Sequence, residues 1–560
     1  MTGEILTPSS IWSKVEPIQV PLCQTIGEYK EGETVLYRLR LDGRQTSDGQ
    51  VKIYAVLAKP NTQEKAPAVF IVQQFTDGAD ETLAMSLAKQ GFVAFVVNVG
   101  GDDGINNNFT QYPQSLSYVN YKNASQDLCT SIDSEVTKTC WFEWGVTARY
   151  GLKYLNSLDY VEKVAGLGIG DGATVVWHMT ASEKFDCLAF VLNTGWEAYK
   201  GNYKFLGKVD EQFDDAKLNY LAGIEPQAYA SLIKVPTFIA SSTNNARFDF
   251  DRAHDTFSRI SDKYKNVIHY TVGGLNGVDS SAYQTLVGFF KDCLIKQKVD
   301  HIPEVPTIKC VDQGKQFRLE VSPYKDGLKN VKVFVAEEHY NPSLRQWQEL
   351  QVQKEEEEYV VEYLPYNQSG VVFFFATAEY KNGYSISSNV LARKFSEQEV
   401  LPTHKSKIIY SSREQNSKSA FYPAGKNLKK PSGISVNKED QVVESLGAMG
   451  IKGITCPSGL LTFRIGMKKY RPQEDGMLLV DAYIKQGGKI TVKLIADYYG
   501  YKREYLATAN VAGGEVWHNL KFAISNFKTA EGMSIRSIDS IEALEVHADK
   551  EYLVNNLLWV

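Results

Sequence analysis

The stretch VAGLGIGDGATVVWHMTA (164–181) decides the fold. Residues 164–169 form a short apolar run of strand type, Gly170-Asp171-Gly172 is a turn, and 171–181 carries helical spacing. Strand, glycine turn and helix in that order are the setting of the G-x-S-x-G elbow, a strained turn that lifts a nucleophile above a sheet. Here the frame reads Gly168-Ile169-Gly170-Asp171-Gly172. Both outer glycines are in place, where side chains would collide with the neighbouring strand and helix. The central residue is also glycine, and it has no atom that can attack a carbonyl.

Working outward, residues 1–300 alternate strand-like and helix-like stretches. Strands are expected at VKIYAVLA (51–58), PAVFIVQQF (67–75), FVAFVVNV (92–99), CLAFVLN (187–193), VPTFIAS (235–241) and VIHYTV (267–272). Helices are expected at 81–90, 141–158, 171–181 and near 280–295. This alternation predicts a mostly parallel sheet covered on both faces.

Pro303 and Pro306 mark a boundary, and from 307 to 395 the segments are short and alternating, as in a sandwich of immunoglobulin-like size. EEEE (355–358) reads as a solvated hairpin tip. The polar stretch 398–435 reads as a linker that partly packs or starts the next domain, and the even run of short strands beyond it suggests a jelly roll. The expected fold is therefore multidomain α/β plus all-β: an α/β domain over 1–301, a sandwich over 302–397, a linker over 398–435 and a jelly roll over 436–560.

Composition excludes several function classes. The chain has 560 residues, 43% apolar and 23% charged, which is globular and not disordered. Lys plus Arg is 61 against 66 for Asp plus Glu, so nucleic acid is not an expected partner. No apolar run is long enough for a membrane span and no signal peptide is visible, so a cytoplasmic location is expected. Seven cysteines without a CxxC or a Cys/His cluster imply neither a disulfide framework nor a metal site, although Cys129 and Cys140 could bridge within a loop. No GxGxxG or GxxxxGK[ST] motif occurs, so no cofactor is expected. GDDG (101–104) is a candidate pocket rim at the sheet's carboxyl edge.

An elbow requires an acid and a histidine later in the chain. The acid loop after VPTFIAS reads SSTNNARFDFD, and the loop after VIHYTV reads GGLNGVDSS. The stretch GIEPQAYASLIKVPTFIASSTNNARFDFDRAHDTF (223–257) resembles a segment of acetylxylan-esterase-like α/β-hydrolases and of proteins similar to the PhoPQ-activated pathogenicity-related group. EEHYNPSLRQWQELQV and ATAEYKNGYSISSN are similar to the β domain such enzymes carry. The resemblance spans roughly 35–395 and implies an α/β-hydrolase fold. Carried across, the nucleophile falls on Gly170, the acid on Asn245 beside Asn244, and the histidine on Gly277, or on Asn276 if the loop shifts by one. Neither Asn nor Gly is a general base near neutral pH.

Fallback candidates are Asp171 as nucleophile and His254 as base, with Asp249 or Asp251 as acid. The bland reading of Asp171 is a carboxylate capping the helix N-terminus. Residues 520–560 resemble the closing strands of galactose-binding-like jelly rolls in carbohydrate-binding modules. Within DYYGYKREY (497–505), Tyr498, Tyr499, Tyr501 and Tyr505 are candidates for a sugar-binding platform, weighed against half-buried sandwich tyrosines. Trp517 reads as core.

The expected function is a pseudo-esterase kept as a binding or structural scaffold, with carbohydrate or a partner protein as its ligand. The alternatives are an active ester hydrolase with a non-standard catalytic set, and a subunit of a homo-oligomer.

Overall fold

The computed structural model describes residues 5–560 except 63, 103–106, 125–130, 133–134, 200, 207–212, 296–300, 315, 367–369, 395–406, 426–432, 438–439 and 473–475. Cys129 and residues 103–104 of GDDG therefore lie outside the described residues, and Cys140 is buried.

The α/β region is built on nine strands: β1 (Cys23–Glu31), β2 (Thr34–Gln45), β3 (Gln50–Pro60), β4 (Ala66–Val72), β5 (Val93–Val97), β6 (Val161–Ile169), β7 (Cys187–Val191), β8 (Thr237–Ser242) and β9 (Asn266–Thr271). Their spatial order is β1-β2-β3-β5-β4-β6-β7-β8-β9. β1, β2, β3 and β5 pair antiparallel, and from β5 through β4 to β9 every pairing is parallel. The helices are α1 (Pro8–Trp12), α2 (Glu81–Ala88), α3 (Cys140–Leu155), α4 (Asp171–Met179), α5 (Asp215–Gly223), α6 (Phe250–Phe257) and α7 (Ser280–Leu294).

The strands from β3 onward fall where their apolar runs place them, because strands buried on both faces are continuous in Val, Ile, Phe and Ala. β4 and β5 are completely buried over Ala68–Val72 and Val93–Val97. β1 and β2 escaped the sequence reading: β1 is a solvent-facing edge strand with eight of its nine residues exposed, so it carries no apolar run.

Two antiparallel β regions follow. Strands at 307–312, 317–322, 358–363 and 353–355 form one sheet, and strands at 348–350, 328–337, 371–380, 385–387 and 391–394 form its partner. Glu355 and Glu358 pair across a tight turn with Glu356 at φ 50°, the hairpin tip expected from EEEE. In the last region one sheet holds 443–446, 452–455, 553–559, 477–483, 518–523 and 408–411, and the other holds 422–423, 460–462, 541–548, 488–496 and 503–511. Residues 408–411 and 422–423 correct the expected linker: they are strands of this last region, pairing with 556–558 and 460–461. Their polar neighbours hid two short apolar inserts, Ile409-Tyr410 and Phe421-Tyr422, all four buried. No helix among the described residues is long and apolar enough to cross a membrane.

Candidate active site at the carboxyl edge of the sheet

The chain leaves β4 toward β5 on one side and returns to β6 on the other, so the crevice at the carboxyl ends of β4 and β6 is the switch point where open α/β sheets bind ligands. Gly170 stands there between β6 and α4, at φ 57° and ψ −130°. That conformation is costly for any residue with a Cβ and persists only where the surroundings enforce it. The surroundings do. A Cβ on Gly168 would overlap Ala173 Cα, and one on Gly172 would overlap the Val72 carbonyl. Packing thus keeps the elbow in shape.

The space above Gly170 is filled. Gln74, two residues past β4 and 3% exposed, turns its amide over the elbow. Its Oε1 accepts the Asp171 backbone N–H at 3.0 Å, and its Nε2 donates to Asp171 Oδ2 at 2.5 Å. A Cβ on Gly170 would overlap Gln74 Oε1. The N–H of the residue after an elbow nucleophile is a standard oxyanion donor. Here an internal amide engages it.

Asp171 does not cap α4, contrary to the bland reading, and no side chain caps that helix. Its carboxylate is pulled toward Arg247, whose Nη1 donates to Oδ2 at 2.7 Å and whose Nη2 contacts Oδ1. Burial pushes the Asp171 carboxyl above the ordinary range, and the Arg247 guanidinium and the Gln74 amide oppose that shift. Glu197 lies 4.0 Å from the Arg247 Nε.

The acid loop holds amides, Asn244 and Asn245, at the positions matched to the acid. Asn245 Oδ1 accepts the N–H groups of Arg247 (2.9 Å) and Phe248 (3.1 Å), a local turn leading into α6. Asn244 is fully buried, and its Nδ2 donates to the carbonyls of Ser343 (2.9 Å) and Arg345 (2.8 Å) in the first β region. Its own carbonyl accepts Tyr499 Oη from the last region at 2.5 Å.

Asp249 caps α6 through the Asp251 N–H. Asp251 and Arg345 form a two-armed ion pair at 2.5 and 2.7 Å with both side chains at 0% exposure. Both acids are thus engaged within or beside α6.

Gly277 precedes Val278, which pairs with Ile434 as an isolated parallel bridge. Val278 N–H donates to Gly433 O at 3.1 Å and Ser435 N–H to Val278 O at 3.0 Å, while Gly433 packs on Ile169. A strap from the last region thus crosses the histidine loop. A cleft of about 370 Å³ remains beside the plug, lined by Gln73, Gln74, Asp77, Ile169 and Ile434.

His254 lies on α6 with its ring against Phe257, and burial lowers its pKa. No described hydrogen bond or ion pair joins it to Asp171, so these two fallback candidates are not brought together.

The tyrosine platform is also corrected. Tyr498 and Tyr505 are buried, Tyr499 is half-buried and bound to Asn244, and only Tyr501 is exposed, at 95%. Tyr498 and Tyr499 pack against Phe463, and Tyr505 lies in the core of the last region from the strand 503–511. Trp517 is half-buried and donates to Ala448 O at 3.1 Å.

No family model matches the chain, and no curated protein matches it. Among solved structures the chain is similar to acetyl xylan esterase 1 from a Thermoanaerobacterium species, at 14% identity over 48% of this chain and 89% of that one, with a TM-score of 0.37. An acetyl xylan esterase from a Paenibacillus species aligns at 13% identity over 47% of this chain and 85% of that one, with a TM-score of 0.33. An acylaminoacyl peptidase from Pyrococcus horikoshii aligns at 14% identity over 50% of each chain, with a TM-score of 0.32.

The strand–turn–helix of residues 161–179, at the carboxyl edge of a mixed nine-stranded sheet, has the geometry of a G-x-S-x-G elbow turn. Around that turn the decisive residues missed from sequence are Gln74 and Arg247. Gln73-Gln74 closes an otherwise apolar run, and a polar pair at the carboxyl end of a buried strand was the available signal.

Proposed function

We propose that this chain is a non-hydrolytic α/β-hydrolase scaffold whose former catalytic edge works as an internal joint between three domains and presents their outer surfaces to a partner. The observation that carries this reading is the Gln74 amide lying where a nucleophile side chain would stand and engaging the oxyanion-type N–H of Asp171. Support also comes from the acid loop, whose Asn244 is spent on carbonyls of a neighbouring domain. We read the two β regions as immunoglobulin-like and jelly-roll sandwiches. A protein partner is favoured over carbohydrate, because three of the four candidate tyrosines pack inward.

Hydrolysis of a chromogenic acetyl ester tests the proposal, with labelling by a serine-reactive fluorophosphonate alongside. The wild type is expected to be silent in both. The combined variant Gln74→Ala, Gly170→Ser, Asn245→Asp, Gly277→His is expected to take the label at residue 170, because it supplies a nucleophile and removes the amide above it. Wild-type turnover that disappears on Asp171→Asn would overturn the reading and identify a non-standard nucleophile.

A further inference from the structure

β1 closes one side of the nine-stranded sheet, and no strand among the described residues pairs with its outer side. An open edge of this kind is a template for another strand. The phase of its backbone follows from the ladder. The Asp42 N–H donates to Leu22 O at 3.0 Å, and the Asn61 N–H donates to Glu33 O at 2.8 Å. Even-numbered residues of β2 therefore bond toward β1, and odd-numbered ones toward β3. The β1 residues opposite the even ones are Gln24, Gly27, Tyr29 and Glu31, and these bond inward. Glu28 and Lys30 turn their N–H and C=O groups outward. A bulge between Thr25 and Gly27 breaks the phase, so the regular open edge is residues 27–31. Tyr29 is 51% exposed there, and Lys30 and Glu28 stand in solvent beside it.

We propose that this edge pairs antiparallel with the same edge of a second copy, joining two nine-stranded sheets into one. Outward groups must meet outward groups, so the two-fold axis passes at residue 28, 29 or 30. An axis at 28 sets Glu28 against Glu28, and an axis at 30 sets Lys30 against Lys30. Like charges directly opposite are destabilising. An axis at Tyr29 sets Glu28 against Lys30 on both sides of it and brings the two Tyr29 rings together on the other face. Lys30 already meets its own Glu28 at 2.9 Å, so the charges of both copies close into one alternating cluster. The backbone bonds supply the attraction and the charges supply the register, because exposed ion pairs contribute little by themselves. A contact this short belongs with small transient interfaces, so association depends on concentration. β2, β3 and β5 separate this edge from β4, and the inference stands whatever the elbow does.

The test is sedimentation velocity of the native chain over a concentration series at low ionic strength. A reversible shift from the mass of one chain toward that of two is expected. Glu28→Lys and Lys30→Glu each set like charges opposite one another in the Tyr29 register, and each variant alone should stay monomeric. Their equimolar mixture should dimerise, since every charge pair across the edge is then unlike. Tyr29→Cys should bridge two copies at residue 29 under mild oxidation, located by peptide mapping, because side chains of the non-bonded pair lie closest. A wild type that sediments as one chain at every concentration would overturn the proposal. So would a dimer that survives both charge reversals, which would put the contact on another surface. A mixture that stays monomeric, with both variants showing the wild-type circular dichroism, would overturn the register and the proposal with it.

Discussion

The elbow and the acid loop sit on the same edge of the same sheet and are built in opposite ways. The elbow keeps its backbone: Gly168 and Gly172 still meet Ala173 and the Val72 carbonyl so closely that no side chain fits, and Gly170 still holds the strained conformation. What it lacks is the reacting group, whose space Gln74 takes. The acid loop lacks the acid and has acquired structural duties: Asn244 holds a neighbouring domain, and Asp251 is locked to Arg345.

The sharpest way to break this comparison is Arg345→Ala. It strands the Asp251 carboxylate at full burial, and the expected loss is about 3–5 kcal/mol in urea unfolding. A neutral outcome would mean that the acid loop is not a joint. The next effect concerns pH and the elbow side of the edge. Glu225 is fully buried and accepts the N–H groups of Trp196 (2.8 Å) and Ala198 (2.6 Å). Burial raises its pKa from 4.5 to about 7. A carboxyl raised on folding contributes stability that is full below its unfolded pKa and is lost as pH rises through the folded one. The loop 194–199 should therefore exchange its amides faster, after correction for intrinsic rates, as pH climbs from 5 to 8. The span is on the order of 3 kcal/mol, and Glu225→Gln should flatten it. The smallest effect belongs to Gln74→Ala, which removes two buried hydrogen bonds over an intact turn. About 1–2 kcal/mol is expected, with the elbow backbone unchanged by chemical shift. A shift spreading through α4 would show that the plug, and not the glycines, holds the elbow.

The sequence alone determined the layered α/β region from β3 onward, because doubly buried strands are unbroken apolar runs and the Gly168, Gly170 and Gly172 spacing names its turn. It also shows that Gly170, Asn245 and Gly277, where the resemblance would place a triad, carry no hydroxyl, carboxylate or imidazole. Only the tertiary structure decided what surrounds those positions. Gln74 and Asp171 lie far apart in the chain, as do Asn244 and Tyr499. Such meetings follow from how strands cross in space and leave no local periodicity. For the same reason the tyrosines of DYYGYKREY looked like a platform: their spacing gives which residues are near one another, and burial depends on which domain closes over them.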